Sequence, residues 1–225
     1  IGGYLMRHEQ AKAAAAHAAL KYIEPDTIVG VGSGSTVHHF IEALSMQRVH
    51  IEGAVATSLE TKRRLEAIDV PVYDLNSVDH VPVYVDGADE VDPSGACLKG
   101  GGGALTQEKI VAAVAERWIC IVDESKCVER LGAYPLAIEV IESARSYVAR
   151  ALVVLGMNPV YREGFITDNG HIILDAYDVP VQPLIELEQT LNQITGVVCH
   201  GLFAARRADQ VIVGHVEGRT RLLLP

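Results

Sequence analysis

The stretch "IVGVGSGSTVHHF", residues 28–40, decides how this chain is read. A short β-branched run over 27–31 leads into Gly32-Ser33-Gly34-Ser35-Thr36, and a helical stretch follows to about Met46. Strand, small-residue turn and helix form the local order in which N–H groups at a helix start face an anion. The hydroxyls of Ser33, Ser35 and Thr36 would add donors. Two nucleotide fingerprints fail here. After Gly30 and Gly32 the third glycine of a dinucleotide motif should stand at Ser35, and no G-K-[ST] closes a P-loop. Two readings remain: a tight β-α turn that needs glycine for packing, or a site for a small phosphate or an oxygen-rich sugar.

Outward from this turn, strands and helices alternate. The pattern predicts a helix over 9–23 stopped by Pro25, strands over 51–56, 71–74 and 82–85, and a charged helix over 58–68. A helix over 106–117 and a strand over 118–122 follow. Strands that are apolar throughout argue for a parallel sheet covered on both faces. After Gly132 the order changes to strand 136–141, helix 143–155 with Gly156 as C-cap, strand 159–162, a hairpin over 165–176 with Asn169-Gly170 at its tip, helix 184–194 and strand 197–203. This is the β-α-β-β-α-β order of a ferredoxin-like split unit. Two last strands, 210–214 and 220–224, return most economically to the first sheet. The expected fold is α/β: an open, mostly parallel Rossmann-like sheet with helices on both faces, plus a smaller ferredoxin-like α+β domain. The expected division is 1–131 with 206–225 against 132–205.

Composition narrows the function. Of 225 residues, 49% are apolar and 21% charged, as in a soluble globular protein. The net charge of −10 argues against non-specific nucleic-acid binding, although backbone N–H groups and a few lysines can still hold an anion locally. No apolar run is long enough for a membrane span, so no membrane association is expected. Cys97, Cys120, Cys127 and Cys199 make no C-x-x-C or zinc spacing, and His38-His39 point about 100° apart on a helix, so no metal is expected. A reduced, cytoplasmic setting is the simplest one for these thiols. The start at Ile1-Gly2-Gly3-Tyr4, with no initiator Met and no signal pattern, reads as a trimmed end.

The chemistry concentrates in "VDGADEVDPSGACLKGGGGALTQEK", residues 85–109. Asp86-Gly87-Ala88-Asp89-Glu90 sits at the carboxyl end of a strand, the edge at which open parallel sheets bind ligands. The alternative is a solvated acidic turn capped by Asp86. Lys99 then precedes Gly100-Gly101-Gly102-Gly103, where bare backbone can approach a ligand. Thr106 is the candidate N-cap of the following helix. Glu108 falls in its first turn, where the helix dipole favours the ionised form. A carboxylate beside an ammonium can take a proton from carbon while the ammonium steadies the oxyanion that develops. By position alone, an ordinary first-turn glutamate is the better explanation of Glu108; the residues around it shift the balance toward chemistry.

"GVGSGST", "YVDGADEVD", "LKGGGGALTQEKI" and "DESK" together resemble the type A ribose-5-phosphate isomerase family, and the likeness runs through nearly the whole chain, including the "TDNG" hairpin. The resemblance implies that the substrate loop falls on Gly32 to Thr36, with Ser33 where threonine is usual. It places substrate contacts at Ser33, Gly34, Ser35, Thr36, Asp86, Gly87, Ala88, Asp89, Lys99, Gly100, Gly101, Gly102 and Lys126. It places the catalytic groups at Glu108, Asp86, Asp89 and Lys99, with one aspartate opening the sugar ring and the glutamate shuttling a proton across a cis-enediolate. It further implies a sugar phosphate as ligand, no metal or organic cofactor, and a homodimer or homotetramer. Lys12 is an additional candidate for the phosphate. Gly103 stands where alanine is expected, which suggests a looser helix start. Other enzymes expected of this fold are an amino-sugar phosphate deaminase, which needs a histidine near the ring, and a CoA-transferase with a nucleophilic glutamate. A non-catalytic sugar-phosphate sensor would have no use for Lys99 and Glu108 together.

Overall fold

The computed structural model describes residues 2–47 and 49–223. The first part runs α1 (Gly2–Ala19), β1 (Ile28–Val31), α2 (Ser35–Met46), β2 (Gly53–Ala56), α3 (Leu59–Glu66), β3 (Val81–Asp86), β4 (Glu90–Val91), β5 (Cys97–Leu98), α4 (Leu105–Val114) and β6 (Ala115–Asp123). It continues with β7 (Leu136–Val140), α5 (Arg145–Val154), β8 (Asn158–Tyr161), β9 (Ile172–Tyr177), α6 (Leu184–Asn192), β10 (Val197–His200), β11 (Leu202–Phe203), β12 (Gln210–Gly214) and β13 (Thr220–Leu223).

The central sheet has the order β13-β12-β6-β3-β1-β2. Its strands pair in parallel except for β13, which pairs antiparallel with β12 at one edge. Side chains alternate across the pleat. Val29, Val31, Val83, Val85, Ile119, Ile121 and Ile212 pack on one face with α1, α2 and Leu65 of α3. Ile28, Tyr84, Trp118, Cys120, Val122, Val211 and Val213 pack on the other with Val111 and Ala112 of α4 and with Phe203. Strands apolar on both sides are what two covered faces require, and the order reverses between β1 and β3, which opens a crevice at their carboxyl ends.

A second sheet, β10-β7-β9-β8, is antiparallel throughout and carries α5 and α6 on one face. Its β-α-β-β-α-β order is the split unit expected from the sequence. A third small sheet, β11-β5-β4, joins the two. Here Gly201 is decisive. Its N–H donates to Ala137 O at 2.8 Å and its carbonyl accepts from Lys99 N at 2.8 Å. A Cβ at this position would lie 1.8 Å from Lys99 O, so only glycine allows the backbones to close.

Several boundaries differ from the expectations. Of residues 71–74 only Val72 forms a bridge, to Ala54. The helix begins at Leu105, with Ala104 at the cap position in place of Thr106. Thr106 instead donates its hydroxyl to Glu139, which is fully buried and also accepts from Thr167 Oγ1 and Asn169 Nδ2. A buried carboxylate surrounded by donors outbids a cap hydrogen bond. Residues 115–117 belong to β6 and not to the helix, because β3 reaches back to pair with them. Gly201 interrupts the expected strand 197–203. The hairpin is formed by β8 with β9, and Asn169-Gly170 turns inside the loop between them, with Gly170 at φ +83.

Gly103 is not a loose helix start. Its φ is +78, and a Cβ there would meet the Phe165 ring at 2.2 Å. Gly103→Ala should therefore lower the free energy of unfolding by about 1–3 kcal/mol through overpacking and left-handed strain. Adding Phe165→Val should recover part of that loss in a denaturant titration. If the second change recovers nothing, Phe165 is not the obstacle.

Candidate active site

The β1–α2 turn and the β3 loop meet at the carboxyl end of the central sheet. Gly32 N–H donates to Val85 O at 2.9 Å, and its carbonyl accepts from Thr61 Oγ1 at 2.6 Å. A Cβ on Gly32 would fall 1.9 Å from the Asp86 carboxyl, so glycine is what lets the two loops touch. Gly34, at φ +94, precedes α2 and provides no side chain to its first-turn N–H groups. Those groups, with Ser35 and Thr36, face a cavity of about 160 Å³. Lys12, Ser33, Gly87, Ala88, Asp89, Lys99, Gly100, Gly101, Gly102, Glu108 and Lys126 complete its lining.

Lys99 enters from the end of β5 and is 4% exposed. Its ammonium donates to Gly87 O at 2.5 Å, pairs with Asp86 Oδ2 at 2.8 Å and lies 3.4 Å from Glu108 Oε2. The ammonium thus hydrogen-bonds one carbonyl and lies in ion-pair range of two carboxylates. Burial pulls the Lys99 pKa down, but Asp86 and Glu108 outweigh it and leave the group above its ordinary value, firmly protonated.

Glu108 sits in the first turn of α4. Ser33 Oγ donates to its Oε1 at 2.6 Å, while Oε2 accepts no hydrogen bond among the described residues. Burial, followed by the nearby Asp86 charge, pushes its pKa up to about 7, against the opposing pull of Lys99 and Ser33. Desolvation therefore overrides the dipole effect expected at a helix start. A carboxylate poised near neutrality is suited to both taking and returning a proton.

The two aspartates part company. Asp86 is fully buried and does not line the cavity; its Oδ1 accepts from Ser33 N and Gly87 N at 3.1 and 2.7 Å, and its Oδ2 accepts from Tyr84 OH and faces Lys99. Asp89 lines the cavity, with Oδ2 held by Gly101 N–H at 2.8 Å. Lys126 is presented by a short turn in which Asp123 accepts from Ser125 N at 2.9 Å. Lys12 also pairs with Glu9 at 2.8 Å.

Three contributors were not singled out from the sequence. Tyr84, two residues before Asp86, shares its face of β3, a relation the period of a strand makes visible. Arg162 binds Asp175 through Nε at 2.8 Å and Nη2 at 2.5 Å, and its Nη1 and Nη2 donate to the carbonyls of Gly100 and Gly101 at 3.1–3.2 Å. This holds the glycine-loop carbonyls on the side of β8. Gly201 fixes the backbone of Lys99. Arg162 and Gly201 lie about sixty and a hundred positions from the loop they steady, so no local pattern announces them. Among the described residues no group of three or more His, Cys, Asp or Glu could hold a metal ion.

Residues 53–218 match the family described as ribose 5-phosphate isomerase A (phosphoriboisomerase A). Similar solved structures include ribose 5-phosphate isomerase A from Neisseria gonorrhoeae, 42% identical with 97% of each chain covered and a TM-score of 0.95. The enzyme from Methanocaldococcus jannaschii is 36% identical, with 97% of this chain and 100% of that one covered and a TM-score of 0.90. A D-ribose-5-phosphate isomerase solved with phospho-erythronic acid is 40% identical, with 96% and 99% covered and a TM-score of 0.91. With its fold, its motifs and these matches in agreement, the chain belongs to the ribose 5-phosphate isomerase A family of enzymes.

Proposed function

We propose that this isomerase interconverts D-ribose 5-phosphate and D-ribulose 5-phosphate through a cis-enediolate, with Glu108 as the proton carrier. The observation that carries the reading is the 3.4 Å approach of the Lys99 ammonium to Glu108 Oε2 inside one cavity. The phosphate is taken by the open N–H groups of α2, Ser35, Thr36, Lys126 and Lys12, which group donors and positive charge on one side. Asp89, the aspartate that faces the cavity, assists ring opening. Glu108 then removes the proton from C2 while Lys99 steadies the oxyanion that forms on O1, the O2 proton passes to O1, and Glu108 returns its proton to C1 as the C2 carbonyl forms. Asp86 supports Lys99 from behind.

No histidine lines this cavity among the described residues, which disfavours the deaminase alternative. The reaction belongs to the non-oxidative pentose phosphate pathway, and no metal or organic cofactor takes part. The protein works in the cytoplasm as a homodimer or homotetramer. No helix among the described residues is long and apolar enough to cross a membrane. The division proposed is 1–131 with 206–225 against 132–205, and the separate strand sets of the two large sheets support it.

Isomerisation of ribose 5-phosphate in D₂O should place deuterium on carbon, require neither CoA nor ammonia release, and survive EDTA. Glu108→Gln should lower kcat by about a hundredfold or more while substrate affinity stays within a few-fold. Near-normal turnover in that variant removes Glu108 as the base. The wild-type pH profile should show the same group. The base acts only when deprotonated, so kcat/KM should fall about tenfold per unit as pH drops below about 7 and level off above it. A profile flat down to pH 5 would contradict this.

A further inference from the structure

Tyr84 lies outside the cavity, is fully buried and has no contact with substrate in the mechanism above, yet it is joined to the reacting groups. Its side chain shares one face of β3 with Asp86, two residues on, and its hydroxyl donates to Asp86 Oδ2. That same oxygen pairs with Lys99 at 2.8 Å, and Lys99 in turn lies 3.4 Å from Glu108. A Cβ on Gly30 would stand 3.0 Å from the Tyr84 ring, and Trp118 packs against that ring with centroids 6.0 Å apart, so the phenol has little room to turn away.

We propose that Tyr84 is a positioning residue that shares the charge of Asp86, and thereby leaves the Lys99 ammonium free to serve Glu108 and the developing oxyanion. Asp86 Oδ1 is already held by two backbone N–H groups. Oδ2 divides its acceptor capacity between a phenol and an ammonium. Without the phenol, Oδ2 would draw Lys99 more strongly, and the uncompensated Asp86 charge would act more fully on Glu108. Charge-assisted hydrogen bonds in a buried setting are among the stronger ones, so losing one should be felt along the chain. Burial and the Asp86 charge keep the phenol protonated, as a donor must be.

The groups facing this chain are few. Glu108 is met by Ser33 from the β1–α2 turn, Lys99 from the end of β5, Asp86 from β3 and Asp89 from the loop after it. Tyr84 is met by Asp86, Glu108 and the Cys120 thiol of β6. None other than Tyr84 is a neutral donor to Asp86 Oδ2 among the described residues.

This inference rests on Glu108 being the base, and the experiment separates the two ideas. Glu108→Gln is measured first: if turnover persists, the base assignment fails and Tyr84 has no reaction to tune. If turnover is lost, Tyr84→Phe is compared with wild type in two ways, by the acid limb of kcat/KM and by direct titration of a ¹³C-labelled Glu108 carboxyl. Both should move upward by about 0.5–1 pH unit, the shift produced by a fraction of one charged hydrogen bond. A role in packing alone would lower the unfolding midpoint and leave both midpoints in place, and that result overturns the proposal. Should Tyr84→Phe fail to fold, 3-fluorotyrosine at position 84 decides. As a stronger donor it should move the carboxyl titration downward, and an unchanged or raised value overturns the proposal.

Discussion

A protonated amine almost shut off from water organises this protein. Taking an ammonium out of solvent costs several kcal/mol, and only close, well-aimed partners offset it. Lys99 finds them in Asp86, Glu108 and a peptide carbonyl. That demand reaches outward. It needs Asp86 at the end of a central strand, Gly32 bare so that the next loop can close over it, and Gly201 bare so that the Lys99 backbone can be pinned from the second sheet. The small sheet of β4, β5 and β11 is the device that holds these requirements together.

The same environment sets opposite fates for two acids. Asp86 accepts from Ser33 N–H, Gly87 N–H and the Tyr84 hydroxyl and pairs with Lys99. Glu108 has one oxygen tethered by Ser33 and the other unclaimed by any hydrogen bond among the described residues. It feels burial and a like charge more than it feels the amine. In the mechanism proposed above one carboxylate anchors and the other carries the proton, a separation of roles that would follow from surroundings and not from residue type.

Much of this was legible in the order of residues. Alternating apolar runs gave the parallel sheet, and Asn169-Gly170 with the flanking runs marked the hairpin region. The concentration of Asp86, Asp89, Lys99 and Glu108 beside glycines marked the chemistry. What stayed hidden depends on distance along the chain. Thr106 looked like a helix cap because Glu139, thirty-three positions on, could not be seen arriving beneath it. Gly103 looked permissive because Phe165 belongs to another loop. Asp86 and Asp89 looked equivalent because burial, which tells them apart, is a property of the folded molecule.

Gly34 gives the α2 helix no side chain with which to close its own first turn. In the proposed reading, an incoming phosphate would engage the first-turn donors that the polypeptide itself does not cap. The ligand would thereby become a temporary structural component, and recognition and local stiffening at this corner would be one event. A tighter self-made closure would steady the resting protein at the expense of the grip it exerts on its guest.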